Sequence, residues 1–260
     1  MREYLIFQLY GDFSSWGDIA VSDFRPSSLY PSKSAIDGLL AASLGIKRDQ
    51  EDTLKLLSNS LEHAVKIINP GEFMQDFHTI QVPPRAAIKG NELKSRKEEL
   101  SLLKKYQHKP REGAKSGTIV SKREYVMCAE YNVAIWENQQ SSFPLTQIKQ
   151  ALINPSFVLF LGRKACIPSL PFSPKIVLSE TVLEAFNHRD IIDINNFLCS
   201  FNPNFNSSRK KRGYSVYFSD QEGAGLQPMQ TFIKRDKFYS RSTWTFKERN
   251  EHHIWVGEEV

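Results

Sequence analysis

The chain has 260 residues, 40% of them apolar and 12% aromatic, enough to bury a substantial core and too apolar for a disordered protein. No apolar run approaches a membrane span, and Met1-Arg2-Glu3 leads straight into an apolar strand pattern without signal-peptide architecture, so a cytoplasmic protein with no membrane partner is expected. The net charge of +5 is unevenly placed: residues 85–123 hold twelve Lys/Arg against four Asp/Glu, while residues 1–84 are net acidic, a pattern that points to a polyanionic partner.

In chain order, Tyr4–Tyr10 reads as a central strand covered on both faces. Phe24–Arg48 follows as the most informative stretch. Ser34 is the expected N-cap of a helix, with Asp37 three residues on as a weak capping-box partner. Ile36, Leu39, Leu40 and Leu44 fall on one helical face, and Gly45 suits a left-handed helix end. Ser32, Lys33 and Ser34 would bring hydroxyls, a cation and free amides together at the helix start, a place for phosphate; the plainer alternative is an ordinary capped core helix. A second short helix is expected after Asp49, then a strand at Leu61–Ile68 closed by Asn69-Pro70-Gly71. His63 reads as a surface or strand histidine without a special role. His78 is open to a base, a readout or a structural hydrogen-bonding role, the last favoured. Residues 82–123 hold too little apolar surface to fold alone and read as a basic arm that an anionic ligand would order, with a short basic helix within Leu93–Tyr106.

Beyond the arm, Ser116–Trp136 predicts an arm strand returning into a core strand. Phe143–Pro155 predicts an amphipathic helix with Leu145, Ile148 and Leu152 facing inward. Phe157–Leu161 is expected as a buried strand leading to a turn in which Gly162 permits close backbone approach while Arg163 and Lys164 add charge. A helix is expected at Glu180–Asn187, a basic cluster lies at Arg209–Arg212, and Tyr214–Ser219, Met229–Ile233 and Thr243–Lys247 read as strands of a closing β-lobe, with His252-His253 in an acidic tail. Cys128, Cys166 and Cys199 share no metal-ligand spacing and are expected to be buried small residues; no metal or cofactor is expected.

Several of these stretches carry a resemblance. Leu5–Gly17 with its Gly–aromatic turn and Trp-Gly, the Arg-Pro loop at Arg25, Pro31-Ser-Lys-Ser34, Gly38–Ile46, Asp76-Phe-His-Thr79, Arg123-Glu-Tyr125, Val133–Trp136, Leu161-Gly-Arg-Lys-Ala-Cys-Ile-Pro168 and Phe238–Trp244 together resemble the CasD family, the subunit of type I-E CRISPR Cascade that holds the 5′ handle of the guide RNA. The resemblance implies an α+β fold: a ferredoxin-like (RRM-related, RAMP) domain with an extended basic arm and a small C-terminal β-rich lobe. It divides the chain into residues 1–81, the first part of that domain; 82–123, the thumb-like basic arm; 124–169, the remainder of the core with its glycine loop; and 170–260, the C-terminal lobe and tail. It implies as partners the 5′ handle of the CRISPR RNA, the CasC backbone subunits and the CasA large subunit, with target DNA a further candidate for the arm. Arg123 matches an arginine beside the handle. The candidate RNA-binding residues are Arg25, Tyr30, Ser32, Lys33, Ser34, Lys115, Lys122, Arg123, Gly162, Arg163, Lys164 and Arg241, with Trp16 and Tyr125 as further aromatics for stacking or core.

The function expected is therefore a non-catalytic RNA-binding subunit. The alternative is a metal-independent endoribonuclease cutting CRISPR repeat RNA, for which Tyr106, His108 and Lys109 could supply an acid–base group and a cation, though from an arm poor in apolar surface. A generic single-strand-binding domain fits the charges but not the ordered series of motifs.

Overall fold

A computed structural model describes residues 1–83, 88, 93, 95–107, 117–138, 142–188, 213–240, 243 and 245–257. Strands β1 (Arg2–Tyr10), the two-residue β2 to β5 (Phe13–Ser14, Trp16–Gly17, Phe24–Arg25, Ser27–Ser28), β6 (Leu61–Asn69), β7 (Glu72–Val82), β8 (Gly117–Met127), β9 (Glu130–Glu137), β10 (Lys175–Ser179), β11 (Gly213–Phe218), β12 (Gln230–Ser240) and β13 (Thr245–Gly257) alternate with helices. The helices are α1 (Lys33–Ser43), α2 (Glu51–Ser60), α3 (Arg96–Gln107), α4 (Leu145–Ile153), α5 (Val182–Asn187) and α6 (Gln221–Ala224). They fall into two units: Met1–Trp16, Ser28–Glu72 and Val126–Val260 in the first, Gly17–Ser27 and Phe73–Tyr125 in the second.

The first unit is built on a seven-stranded sheet in the order β10-β1-β9-β6-β11-β13-β12, with every neighbouring pair antiparallel. β1 is buried continuously from Tyr4 to Tyr10, as its uninterrupted apolar run predicts for a strand covered on both faces. Tyr4 and Ile6 point to one face, where they join Ala64, Ala134, Trp136, Val216 and Phe218 beneath Val182 and Phe186 of α5. Tyr4 and Trp136 meet edge-to-face at 5.5 Å, and the Tyr4 hydroxyl donates to the Gly223 carbonyl, so a polar tip in the core keeps a partner. The alternate residues Leu5, Phe7 and Leu9 supply the other face. α4 buries Leu145, Ile148 and Leu152, the three positions its periodicity selects.

Five expectations are corrected. α1 is capped by Ser32, whose side chain accepts from the Ala35 amide, so Ser34 lies inside the first turn; Gly45 does end the helix, at φ +78°. Residues 157–161 form no strand: the Ser156 and Phe157 amides donate to the Ser43 and Ala42 carbonyls at the end of α1, leaving Phe157 and Val158 exposed. His252 and His253 lie within β13, not in a tail, because they pair with Phe218 and Tyr217 of β11. Cys128 is exposed at φ +52°, while Cys166 is buried; Cys199 lies outside the described residues. The strands after residue 212, expected as a closing β-lobe, stand in the same sheet as β1.

In the second unit β7 pairs with β8, and β4 lies parallel beside β8. α3 begins after Ser95, whose hydroxyl accepts from the Glu98 amide, and carries Glu98 and Glu99 in its first turn and Lys104 and Lys105 in its last, matching its dipole. Arg96 ties this helix to β7 through the Gln81 carbonyl at 3.1 Å.

Candidate nucleic-acid interface

The charge separates between the units. Gly17–Ser27 with Phe73–Tyr125 holds thirteen Lys/Arg against eight Asp/Glu, whereas the first unit holds twenty-one of each, so the second unit carries the whole net charge of +5. Within it the register sets Arg25 beside Arg123 and Phe24 beside Lys122, and the Lys122 amide donates to the Asp23 carbonyl at 3.0 Å. Arg25 and Arg123 therefore project from one face of the ribbon although they stand far apart in the sequence. The Arg25 guanidinium is exposed and donates to the carbonyls of Ser22 and Phe24, and Arg123 donates to the Ser121 hydroxyl at 3.4 Å. Two arginines side by side raise the local potential and can grip successive phosphates. Residues that the sequence reading passed over add aromatic surface: Phe73 and Phe77 on β7 are 54% and 59% exposed. Their spacing of four places them on the same face of the strand, and large exposed aromatics on a ribbon that carries an arginine pair have the chemistry of base stacking. Phe77 stands within the Asp76-Phe-His-Thr79 motif, which the sequence reading used for the family but not as a site. His78, beside them, is paired with Asp76.

The first unit brings the glycine loop together. The Ser15 amide donates to the Leu161 carbonyl, the Leu161 amide to the Cys166 carbonyl and the Cys166 amide to the Arg163 carbonyl, closing a tight turn. Gly162 adopts φ +89°, and a Cβ there would stand 1.9 Å from the Ser15 carbonyl oxygen, so only glycine fits. Lys164 projects to solvent from this loop, and Arg163 is half-buried.

The α1 start does not serve as the phosphate cradle expected of it. The Lys33 amide donates to the Asp236 carboxylate at 2.8 Å, so a carboxylate of the chain itself occupies the position an anion would take. The Lys33 side chain turns inward, its ammonium held by Asp37 at 3.3 Å and by the Leu61 carbonyl at 2.9 Å, and Asp37 also accepts from Ser58. Ser32 and Ser34 share a hydroxyl contact at 3.1 Å and are half-buried. Tyr30 is buried against Tyr217, with ring centroids 3.9 Å apart, and its hydroxyl donates to Glu251 at 2.5 Å. Burial first, then the Glu251 charge, raise its pKa far above the ordinary tyrosine value. Trp16 packs edge-to-face on Tyr131, and Tyr125 is buried too. All three aromatics offered for stacking thus serve the core. Lys115 and Arg241 lie outside the described residues, as do His108 and Lys109, and of Tyr106 only the backbone is described.

Among the described residues no cluster of three or more His, Cys, Asp or Glu side chains could hold a metal ion, and no helix is long and apolar enough to cross a membrane. Across residues 4–248 the chain matches the family model described as CRISPR-associated protein (Cas_Cas5). It is 29% identical over 174 residues, 64% of this chain and 67% of the other, to the CRISPR system Cascade subunit CasD of Escherichia coli (strain K12). Its fold is similar to that of a chain in a solved CRISPR RNA-guided surveillance complex, with TM-score 0.59 and 19% identity over 98% of this chain and 90% of that one. It is also similar to a crystal structure of a Cas protein, with TM-score 0.58 and 19% identity over 98% and 95% of the two chains. The mixed α/β architecture is thus shared with Cas proteins, and the chain belongs to the CRISPR-associated protein (Cas_Cas5) family.

Proposed function

We propose that this chain is a non-catalytic RNA-binding subunit of a type I-E CRISPR Cascade surveillance complex, where it caps the 5′ handle of the CRISPR RNA and meets the CasC backbone and CasA large subunits. The observation that carries the reading is the arginine pair on the ribbon of the second unit, where Arg25 and Arg123 stand in register beside Lys122, in a chain whose family and Cascade relative are both CRISPR proteins. Single-stranded RNA is held by such a combination of cations and exposed aromatic faces. The glycine loop, with Arg163 and Lys164, adds a second place where backbone and charge can approach a phosphate. The order β10-β1-β9-β6, with α1 and α2 between β1 and β6 and α4 between β9 and β10, supports reading this part as a ferredoxin-like unit that carries the arm.

Repeat-RNA cleavage is the alternative reading: it needs a positioned base and a cation at the phosphate, and its sequence candidates His108 and Lys109 lie outside the described residues. The test combines chemistry and binding. The full-length protein is incubated without metal with its own repeat RNA, and the products are resolved on a denaturing gel. Intact RNA retained in a salt-dependent manner is expected; a discrete cut would make the chain a processing nuclease. Arg123→Ala is expected to weaken handle binding about tenfold, the weight of one charge-assisted phosphate contact, with an unchanged melting temperature. Unchanged affinity removes Arg123 from the interface.

A further inference from the structure

The β12–β13 hairpin of the first unit carries two pairs of directly opposed cations, and they are treated differently. Lys234 stands opposite Arg249, and Lys237 opposite Lys247. Around the first pair the chain supplies its own counter-charge: Arg249 donates to Asp236 and Glu251, and Lys234 lies 3.9 Å from Glu251. Around the second, the described residues supply none. Neither Lys237 nor Lys247 forms an ion pair among the described residues; Asp236 is committed to Arg249 and the Lys33 amide, and Glu248 alternates to the opposite side of β13 from Lys247. Like charges directly across a sheet are destabilising, so a folded chain that keeps such a pair without a counter-charge has a place for an external anion.

The same spot holds an aromatic face. Tyr239 is 48% exposed, and the Lys247 ammonium lies 4.2 Å from its ring centroid. Lys55 of α2, paired with Glu51 at 3.2 Å, approaches the ring to 6.0 Å. A half-exposed ring with cations around it fits a base stacked on the ring and its flanking phosphates on the lysines. An acidic polypeptide would meet the lysines but leave the ring without a planar partner. We infer that Lys237, Tyr239 and Lys247, with Lys55 beside them, form a binding surface for a single-stranded polynucleotide on the first unit, additional to the arginine ribbon and the glycine loop. The inference rests on the reading that this chain binds nucleic acid.

The test uses the full-length protein with 5-iodouridine-labelled single-stranded RNA and, in parallel, the matching 5-iododeoxyuridine DNA. Photocrosslinked peptides are mapped, and affinity is measured across a salt series. A crosslink at Tyr239 is expected with at least one of the two strands, the arm in which it appears naming the ligand. Tyr239→Ala should weaken binding of that strand about tenfold while Tyr239→Phe preserves it, since the ring and not the hydroxyl stacks. Lys247→Gln should lower the salt slope by about 0.7 for each phosphate contact removed and leave the melting temperature no lower than the wild type. Wild-type binding that is unaffected by all three substitutions, with no crosslink at Tyr239, overturns this surface and leaves the RNA-binding reading standing. Lys247→Gln that weakens binding of poly-glutamate but of neither oligonucleotide overturns it in favour of an acidic protein. A wild-type chain that binds neither strand at low salt overturns both.

Discussion

His63 shows how one buried side chain sets a property of the fold. It lies on β6, 3% exposed, and its Nδ1 has no hydrogen-bond partner among the described residues. Burial, reinforced by the nearby positive charges of Arg249 and Lys33, holds its pKa well below the ordinary histidine value of 6.5. An unfolded histidine therefore takes up a proton as the pH falls through about 6.5, whereas the folded one does not, so in that window the unfolded state binds more protons and stability rises with pH. The contribution is complete above about pH 6.5 and is lost progressively below it. His253, half-buried, shifts in the same direction chiefly through burial, with Glu251 opposing, and adds to the slope. Thermal melts at about pH 7.5 and pH 5.5 should show the wild type losing stability in acid and His63→Leu losing distinctly less. Equal losses in the two proteins would remove His63 as a source of the acid sensitivity. A residue read from sequence as a strand or surface histidine without consequence thus makes the fold acid-sensitive, because it is buried and the charges of Lys33 and Arg249, which act on it, come from elsewhere in the chain.

Between elements, a charged network in the first unit joins the β12–β13 hairpin to α1. Arg249 grips Asp236 with two hydrogen bonds, at 2.6 and 2.9 Å, and Glu251 with a third at 2.7 Å. Asp236 in turn holds the first amide of α1, and Glu251 accepts from Tyr30. Removing the guanidinium leaves two carboxylates poorly paired, one of them on a side chain only 2% exposed. Arg249→Ala should therefore cost about 3–5 kcal/mol, read as a lower urea midpoint with an unchanged slope. A loss near zero would mean that water reaches and solvates the network. This link also explains why the α1 start is closed to phosphate. The sequence pattern Pro31-Ser-Lys-Ser34 suits an anion in isolation, and the anion that arrives is Asp236, some two hundred residues later in the chain. By contrast, α4 lay open to sequence reasoning, since Leu145, Ile148 and Leu152 keep a helical spacing that only one buried face satisfies.

For the whole molecule the unequal division of charge decides how it meets a partner. By sequence composition one unit, which holds the seven-stranded sheet, is electrically neutral, and the other carries the entire net charge. RNA binding should therefore be dominated by counterion release. For about four phosphate contacts, raising salt from about 50 to 200 mM should weaken binding on the order of 50-fold, measured as the slope of log affinity against log salt. A slope near zero would shift the interface to apolar and hydrogen-bonding contacts and away from the ribbon.

Sequence alone determined what depends on neighbours close in the chain. The apolar run of β1, the periodic faces of α1 and α4, the glycine at the end of α1 and the concentration of Lys and Arg in one segment all follow from local spacing and composition. The ordered motifs also sufficed for the family. Only the tertiary structure decided which polar and aromatic residues remain available to a ligand. Lys33, Tyr30 and Trp16 have the chemistry of a binding site, but residues distant in sequence bury them: the Leu61 carbonyl holds Lys33, Glu251 and Tyr217 enclose Tyr30, and Tyr131 packs on Trp16. Strand register, equally, set Arg25 beside Arg123 and Lys237 opposite Lys247. A charge or a ring serves a ligand only where the folded chain has not already satisfied it, and long-range pairing determines where that is.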